Sequence, residues 1–324
     1  MAKGKMSPRQ AKEYLRLAAK RYKYAAFVGG EPLLYHREIA ELATYARKLG
    51  IEPMVMTSAG WVENEAQARD VFGELAAAGI KRIGASWDIY HEELCAREQI
   101  VSLARAALEE GMEVAVRITV PSNEDAARWQ EAFDDLDIQF EIKPVSKQGR
   151  ARTLPSSHFE ERHGPPSGRC NSVLLPFVRY DGKVYACCGP AFHCRAGSPL
   201  YLGDAEEEPL DAILNRAEND PIREMIHLAG PHGLWHLLEE SGGRDLHTAR
   251  DTYTDQCELC LDLLNSAAAV AAVRDHLGDA RGQAALAAAT MWMRERMKMM
   301  GVAPPKPGLN SSCATSRGEV GDKQ

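Results

Sequence analysis

Six of the eight cysteines in this 324-residue sequence fall between positions 170 and 260. Cys170 precedes an apolar run (173–180), the pair Asp181-Gly182, a second run (183–186) and the doublet Cys187-Cys188. Asp-Gly between two such runs signals a β-hairpin, and a hairpin here carries Cys170 back beside Cys187. Cys257-Glu258-Leu259-Cys260 follows downstream. Four thiolates supplied as a hairpin pair plus a CxxC form the ligand set of a tetrahedral zinc ion or of an iron–sulfur cluster. In a reducing compartment disulfides explain such a set poorly, and metal or redox chemistry explains it well. Cys188 and Cys194 are extra thiols, read either as small buried side chains or as remnants of a second cluster. Cys95 and Cys313 stand apart as bystanders.

Three further constellations carry weaker chemistry. Gly29-Gly30-Glu31-Pro32 ends a predicted strand, the place where α/β folds bind ligands. Glycines there let a ligand approach the backbone, and Glu31 can hold an ammonium group; the plain alternative is a turn. Ser86 and Asp88 end a later strand, with His91 and Glu92 following. They can bind a ribose, or Asp88 can cap the next helix. Arg117 interrupts an apolar strand and needs a partner, either a ligand carboxylate or a neighbouring acid. His163, His193, His232 and His236 read as ordinary surface or helix histidines, and the methionines ending the last helix as a packing face.

The elements that must position these groups alternate regularly. Ser7-Pro8-Arg9-Gln10 reads as an N-cap, a first-turn proline and a capping-box glutamine, opening a helix to about 21. Strands are predicted at 24–28, 53–57, 82–87, 113–120 and 138–144, with helices at 35–48, 63–78, 91–110 and 124–133 between them. This is the pattern of parallel β/α units, in a barrel or a doubly wound sheet. A Gly-, Pro-, Ser- and Arg-rich crossing segment (147–169) leads to the cysteine hairpin. Helices follow at 209–217, 221–228, 234–240, 258–276 and 281–300. The domain division expected is 1–150, 151–278, a C-terminal helix at 279–302, and a disordered tail at 303–324. Because the series opens on a helix, the 24–28 strand has an apolar flank without a neighbour, an arrangement sheets avoid.

Composition bounds the partners. Hydrophobic content of 45%, charged content of 26% and a net charge of −7 are ordinary for a globular protein. No Lys/Arg run is dense enough to track a phosphate backbone, so neither nucleic acid nor a membrane is an expected partner. The N-terminus lacks the apolar core of a signal peptide and no apolar run approaches spanning length, so the expected location is cytoplasmic.

Taken in order, Gly-Gly-Glu-Pro-Leu-Leu, Ser86-x-Asp88 with His91, and Pro144-x4-Gly149-Arg150-Ala151 resemble the radical S-adenosylmethionine (SAM) enzymes. Cys170-x11-Gly182-x4-Cys187 with the later CxxC is similar to the auxiliary-cluster extension of the SPASM and twitch groups. Tyr201-Leu-Gly-Asp204 followed by Pro209-Leu-Asp-Ala-Ile-Leu-Asn215 resembles a further segment of that extension. The resemblance spans about residues 5–265. It implies an α/β fold, a partial (β/α)6 TIM-like barrel missing its first strand, plus a small C-terminal cysteine-rich β-hairpin and helical domain. It implies SAM across the strand ends, with Gly29, Gly30 and Glu31 at its methionine amino group. Ser86 and Asp88 fall near the ribose and Arg117 near the carboxylate. It also implies one auxiliary [4Fe–4S] cluster on Cys170, Cys187, Cys257 and Cys260.

One departure stands out. The family's Cys-x3-Cys-x2-Cys, which holds the radical SAM [4Fe–4S] cluster, has no counterpart before Cys95. The absent cysteines and the absent strand belong at the same place, so a further segment ahead of Met1 is the expectation. The chain as written is not expected to generate the 5′-deoxyadenosyl radical. The leading reading is a radical SAM oxidoreductase or maturase chain acting by hydrogen-atom abstraction on a peptide or small-molecule substrate, with a reductant such as a flavodoxin or ferredoxin. The alternatives are a degenerate scaffold that keeps the cluster and binds a peptide or partner, and a protein with structural zinc held by the four cysteines.

Overall fold

The computed structural model describes residues 4–299 except 122–125 and 248–249. The disordered tail expected at 303–324, with Cys313, lies outside the described residues. Helix α1 (Pro8–Ala18) begins as its sequence dictates: the Ser7 side chain accepts from the Gln10 N–H at 3.2 Å and Pro8 occupies the first turn. The chain then alternates through β1 (Tyr24–Phe27), α2 (His36–Lys48), β2 (Glu52–Thr57), α3 (Glu65–Ala77), β3 (Arg82–Ser86), α4 (Arg97–Glu109), β4 (Glu113–Val120), α5 (Ala127–Gln130) and β5 (Gln139–Pro144).

The five strands form one sheet in the order β1-β2-β3-β4-β5, every pair parallel. This is the partial-barrel α/β architecture the sequence predicts. On β4, Val114, Val116, Ile118 and Val120 are buried against the helices with Ile83, Val55 and Leu103. The alternate residues, Ala115, Arg117 and Thr119, take the opposite face. Register aligns Ser86, Arg117 and Glu141 across three neighbouring strands on that face. Nearby, Met56 pairs with Gly84, where a Cβ would stand 2.2 Å from the methionine sulfur, so the glycine lets Met56 lie over the strand.

The second half packs around a separate core. A two-residue strand β6 (Arg162–His163) leads to β7 (Phe177–Val178), β8 (Lys183–Tyr185) and β9 (Tyr201–Asp204), then α6 (Leu210–Glu218), α7 (Pro221–Glu240), β10 (Thr252–Tyr253), α8 (Gln256–Leu264), α9 (Ala267–Gly278) and α10 (Ala280–Met299). The expected hairpin forms about Asp181-Gly182, with Gly182 at φ 80°. Its first arm pairs only at Phe177–Val178, because a 3-10 turn (Ser172–Leu174) takes the residues after Cys170. β9 adds a third strand to the hairpin. Arg21 ties the end of α1 to this half, donating to Asp211 at 2.5 Å and Glu218 at 3.1 Å.

Two predicted helices are corrected. The one expected from 91 starts at Arg97, because Asp88 draws residues 88–95 into turns. The two helices expected at 221–228 and 234–240 are the two arms of α7, which breaks at Gly230 (φ 71°, ψ −177°) ahead of Pro231. The helix expected over 258–276 is instead two helices bent by 92°. At that bend the Asn265 side chain accepts from the Arg195 N–H at 2.9 Å, and Ser266 caps α9 by accepting from the Ala269 N–H at 3.2 Å. Two polar residues thus stop one helix and start the next. Among the described residues no single helix is long and apolar enough to cross a membrane. On the last helix Met293 is buried while Met291 and Met299 are exposed, so the expected methionine packing face is only partly formed.

Gly84→Ala should lower stability by about 1–3 kcal/mol through overpacking against Met56. Urea unfolding of the single and double variants checks this, because a Met56→Ala background should remove most of the penalty.

Candidate functional site

Cys257 and Cys260 sit in the first turns of α8, whose N-cap Asp255 accepts from the Cys257 and Glu258 N–H groups at 2.9 and 3.0 Å. Glu258, between the two thiols, is buried and accepts from the Thr254 N–H and hydroxyl and from Arg250. Arg250 also holds Asp262 at 2.6 and 2.8 Å, so the whole turn is clamped by charge-assisted bonds. Cys187 ends the arm that contains β8. Cys170 is held from the other side: its N–H donates to the Ile226 carbonyl of α7 at 3.1 Å.

These four thiols converge. Burial comes first in raising each of them, to about 11 for Cys187 and about 12 for Cys257, with Cys170 and Cys260 also raised. Cys187 and Cys260 are buried in one core and Cys170 packs against it; the Asp255 carboxylate then raises Cys257, and Cys170 and Cys187 each add to the rise of Cys257 and Cys260. Thiolates in such a place need a metal to take the proton's position. Donors wait for them. The amides of Ser172 and Val173 and the Ser172 hydroxyl point at the Cys170 sulfur, those of Gly189 and Ala191 at Cys187, and the Gln148 side chain at Cys257. Hydrogen bonds to cluster sulfurs stabilise the charge and set the reduction potential.

Among the described residues no three His, Cys, Asp or Glu side chains close on one point tightly enough to hold a single ion. A zinc ion with bonds of about 2.3 Å draws its sulfurs to about 3.8 Å of one another. Cys188 is exposed beside Cys170 and Cys187, whereas Cys194 packs toward Ser198 and Tyr185.

The sheet holds the other predicted residues. Gly29 and Gly30 follow β1 with φ of 95° and 57°, and the space their missing side chains would take is open to 4 Å. Glu31 turns away from that opening: its carboxylate accepts from the Leu33 N–H, the Thr57 hydroxyl, and the Ser58 N–H and hydroxyl, at 2.8 to 3.0 Å. Asp88 is fully buried and accepts from the Tyr90 N–H, His91 Nδ1 and the Thr119 N–H, at 2.7 to 2.9 Å. Both carboxylates fasten loops to neighbouring strands. Ser86 is half-buried on the same face as Arg117, whose guanidinium donates to Glu141 at 2.7 and 2.8 Å. Burial pushes the Glu141 carboxyl up, but Lys143 and Arg117 outweigh it and hold it below the usual carboxylate range.

A family model of the radical SAM superfamily matches residues 2–136, and one of an iron–sulfur cluster-binding domain, SPASM, matches residues 174–261. The chain is a radical SAM protein with a SPASM domain. No curated protein matches the chain. The radical SAM region takes in Gly29, Gly30, Glu31, Ser86, Asp88 and Arg117, and the SPASM region takes in Cys187, Cys257 and Cys260. Together the two families imply SAM and [4Fe–4S] clusters as cofactors. Among the described residues the radical SAM region holds one cysteine, Cys95, which is buried and donates weakly to the Ala96 carbonyl.

Several residues that build the SPASM site carry no signal in the sequence. Arg223 is buried on α7 and donates to the Val173 carbonyl at 2.6 Å, fixing the turn that aims amides at Cys170. Gln148 lies in the crossing segment. Gly230 lets α7 touch the loop before Cys170: a Cβ there would stand 1.8 Å from the Gly168 carbonyl oxygen. Gly230→Ala should therefore loosen the Cys170 ligand and lower resistance of the reconstituted centre to a chelator by about 10–100-fold. Gly242→Ala is the control, since Gly242 has nearly the same φ, 72°, with open space around it. Iron retained under chelator competition reads both.

Proposed function

We propose that this chain binds SAM at the carboxyl ends of β1–β4 and one auxiliary [4Fe–4S] cluster on Cys170, Cys187, Cys257 and Cys260, and that, where the radical SAM cluster is supplied, the reaction it serves is hydrogen-atom abstraction from a peptide or small molecule. The observation that supports the reading is the packing of thiols from three chain segments around one core, each segment with its own backbone anchor. The division taken is 1–150, 151–278 and a C-terminal helix at 279–302; two separate cores support the first boundary, and Leu286 of α10 packs into the second core.

On the sheet, the open backbone at Gly29 and Gly30 receives the amino group of SAM. The carboxylates of Glu31 and Asp88 serve this site by fixing the loops around it. Arg117 keeps Glu141 and turns its remaining N–H donors to the cofactor's carboxylate, because a guanidinium has five donors and Glu141 engages its Nε and Nη2 sides. Ser86, one strand away in the same register row, offers a hydroxyl to the ribose. Bound SAM supplies the hydrogen-abstracting chemistry of the family. The chain's part is to hold the cofactor's polar ends, and the auxiliary centre anchors substrate or takes an electron. A substrate and a reductant are the partners this chemistry requires.

Anaerobic reconstitution with iron and sulfide tests the metal assignment. The chain should hold about four irons with brown absorbance, and Cys260→Ala should lose most of both. One colourless zinc ion per chain, with no iron taken up, would sink the assignment. For SAM, Arg117→Ala should weaken equilibrium binding by about tenfold or more, as expected for the loss of one charge-assisted pair. Calorimetry reads that change.

A further inference from the structure

Arg223 on α7 is 3% exposed, the one buried lysine or arginine among the described residues. Other arginines without a carboxylate within 4.0 Å, such as Arg9, Arg37, Arg47 and Arg97, are exposed and left to water. Arg223 has no such outlet. Its Nη2 donates to the Val173 carbonyl at 2.6 Å and its Nη1 to the Ala217 carbonyl near the end of α6, while its Nε has no hydrogen-bond partner. Among the described residues no carboxylate lies within 4.0 Å of it. The acids at hand are engaged elsewhere: Glu218 accepts from Arg21, and Asp220 from the Ile222 N–H and from Arg274. The carbonyl end of α6 supplies only about half an elementary charge. A cation taken out of water is costly until a full counter-charge stands near it, and a guanidinium does not escape by losing its proton.

The fold brings this cation to the thiols. The Val173 carbonyl that it holds belongs to the 3-10 turn Ser172–Leu174, which begins two residues after Cys170. The Cys170 N–H donates to the Ile226 carbonyl at 3.1 Å, one turn further along α7. The segment from Cys170 to Val173 therefore lies along α7 between two hydrogen bonds, Cys170 at one and the guanidinium at the other, on a helix that rises about 4.5 Å over three residues. Val173, Cys187 and Cys260 are buried in the same core as Ile222 and Ile226, the neighbours of Arg223 on that helix. Burial lowers the Arg223 guanidinium from its ordinary value, and Tyr22, Asp220, Glu218 and Cys187 oppose the fall.

We propose that Arg223 is the buried counter-charge of the auxiliary cluster, a fixed cation that raises the reduction potential of the centre. The inference rests on the assignment of Cys170, Cys187, Cys257 and Cys260 to a [4Fe–4S] centre. Four thiolates around such a core carry net negative charge, and one-electron reduction adds another unit of it. A fixed cation close by favours the more negative state, and net charge is among the terms that set the potential. The donors of Arg223 are held by carbonyls, so it acts through its charge across the Cys170 turn and not by bonding to a sulfur. It is a positioning residue with two separable roles: its N–H groups fix the turn, and its charge sets the potential.

The test uses the reconstituted full chain, with iron and sulfide measured first on every sample. Each sample is then titrated with dithionite in the presence of redox mediators, and the reduced centre is read by electron paramagnetic resonance. Arg223→Gln and Arg223→Met remove the charge, the latter as the apolar replacement that buried ions tolerate best. Both should shift the equilibrium away from the reduced centre by about tenfold, the order expected for a unit charge on the order of 10 Å away at an effective dielectric of about 20. For a one-electron couple that is a fall of about 59 mV. Arg223→Lys keeps the charge and should hold the parent's potential even where it melts at a lower temperature, and Arg69→Gln on α3 should change nothing. Loss of iron from the two neutral variants with retention in Arg223→Lys also supports the charge role. A lysine variant that shifts as far as the neutral ones, neutral variants that do not shift, or iron lost from all three would each show a structural role only and overturn the proposal, leaving the cluster standing. A parent chain that takes up no iron overturns the cluster assignment itself.

Discussion

Keeping four thiols together in a largely buried place is the constraint on which the second half of this protein depends. A buried thiolate is costly unless something positive stands beside it. Arg223 lies near enough to Cys187 for the two to interact, but its N–H groups go to the Val173 and Ala217 carbonyls. The rest of the pocket is lined with weak, fixed donors: backbone amides of two 3-10 turns, a serine hydroxyl and a glutamine side chain. Such dipoles favour a metal-bound sulfide cube, whose negative charge is spread, over isolated thiolates. The scaffold then has one task, to keep three segments in place. Arg223 and the Gly230–Gly168 contact secure the Cys170 segment, the Ala186 N–H on the Leu200 carbonyl secures the Cys187 arm, and Glu258 secures the CxxC turn.

The sheet works in another way. Its two most suggestive carboxylates, Glu31 and Asp88, are engaged by the protein's own donors. A carboxylate that accepts three or four hydrogen bonds has little acceptor capacity left for a ligand. What remains available is backbone opened by two left-handed glycines, a half-buried serine and an arginine that shares its donors. Rigid loops of this kind hold a ligand by shape and by N–H and carbonyl groups, with Arg117 as the charged contact. Arg117 is itself stabilised by Glu141, which in turn leans on Lys143, so the row carries a net positive charge without an isolated cation.

The crossing segment joins the two halves of this picture. Gln148 sits where the crossing segment leaves the sheet, and its amide reaches both Ser146 and Cys257. The same short stretch that links the barrel to the cysteine domain thus completes the sulfur environment.

Much of the fold could be read from the residues alone. The β/α alternation, the Ser7-Pro8 helix start and the Asp181-Gly182 hairpin are local patterns, written within a few residues of where they act. Cys-x11-Gly-x4-Cys and CxxC are specific by spacing, and that spacing put the four cysteines forward as one ligand set. Other features depend on residues far apart in the chain. The bend between α8 and α9 needs Arg195, some seventy positions from Asn265. The start of α4 is delayed because Asp88 answers Thr119 on another strand, and Arg117 finds its acid on β5. Sequence by itself determined most of the elements and the family, because backbone propensity and motif spacing are properties of neighbours and residue types. Only the tertiary structure decided which charged groups are already engaged and which remain for a ligand, because that depends on contacts made after the chain has folded back on itself.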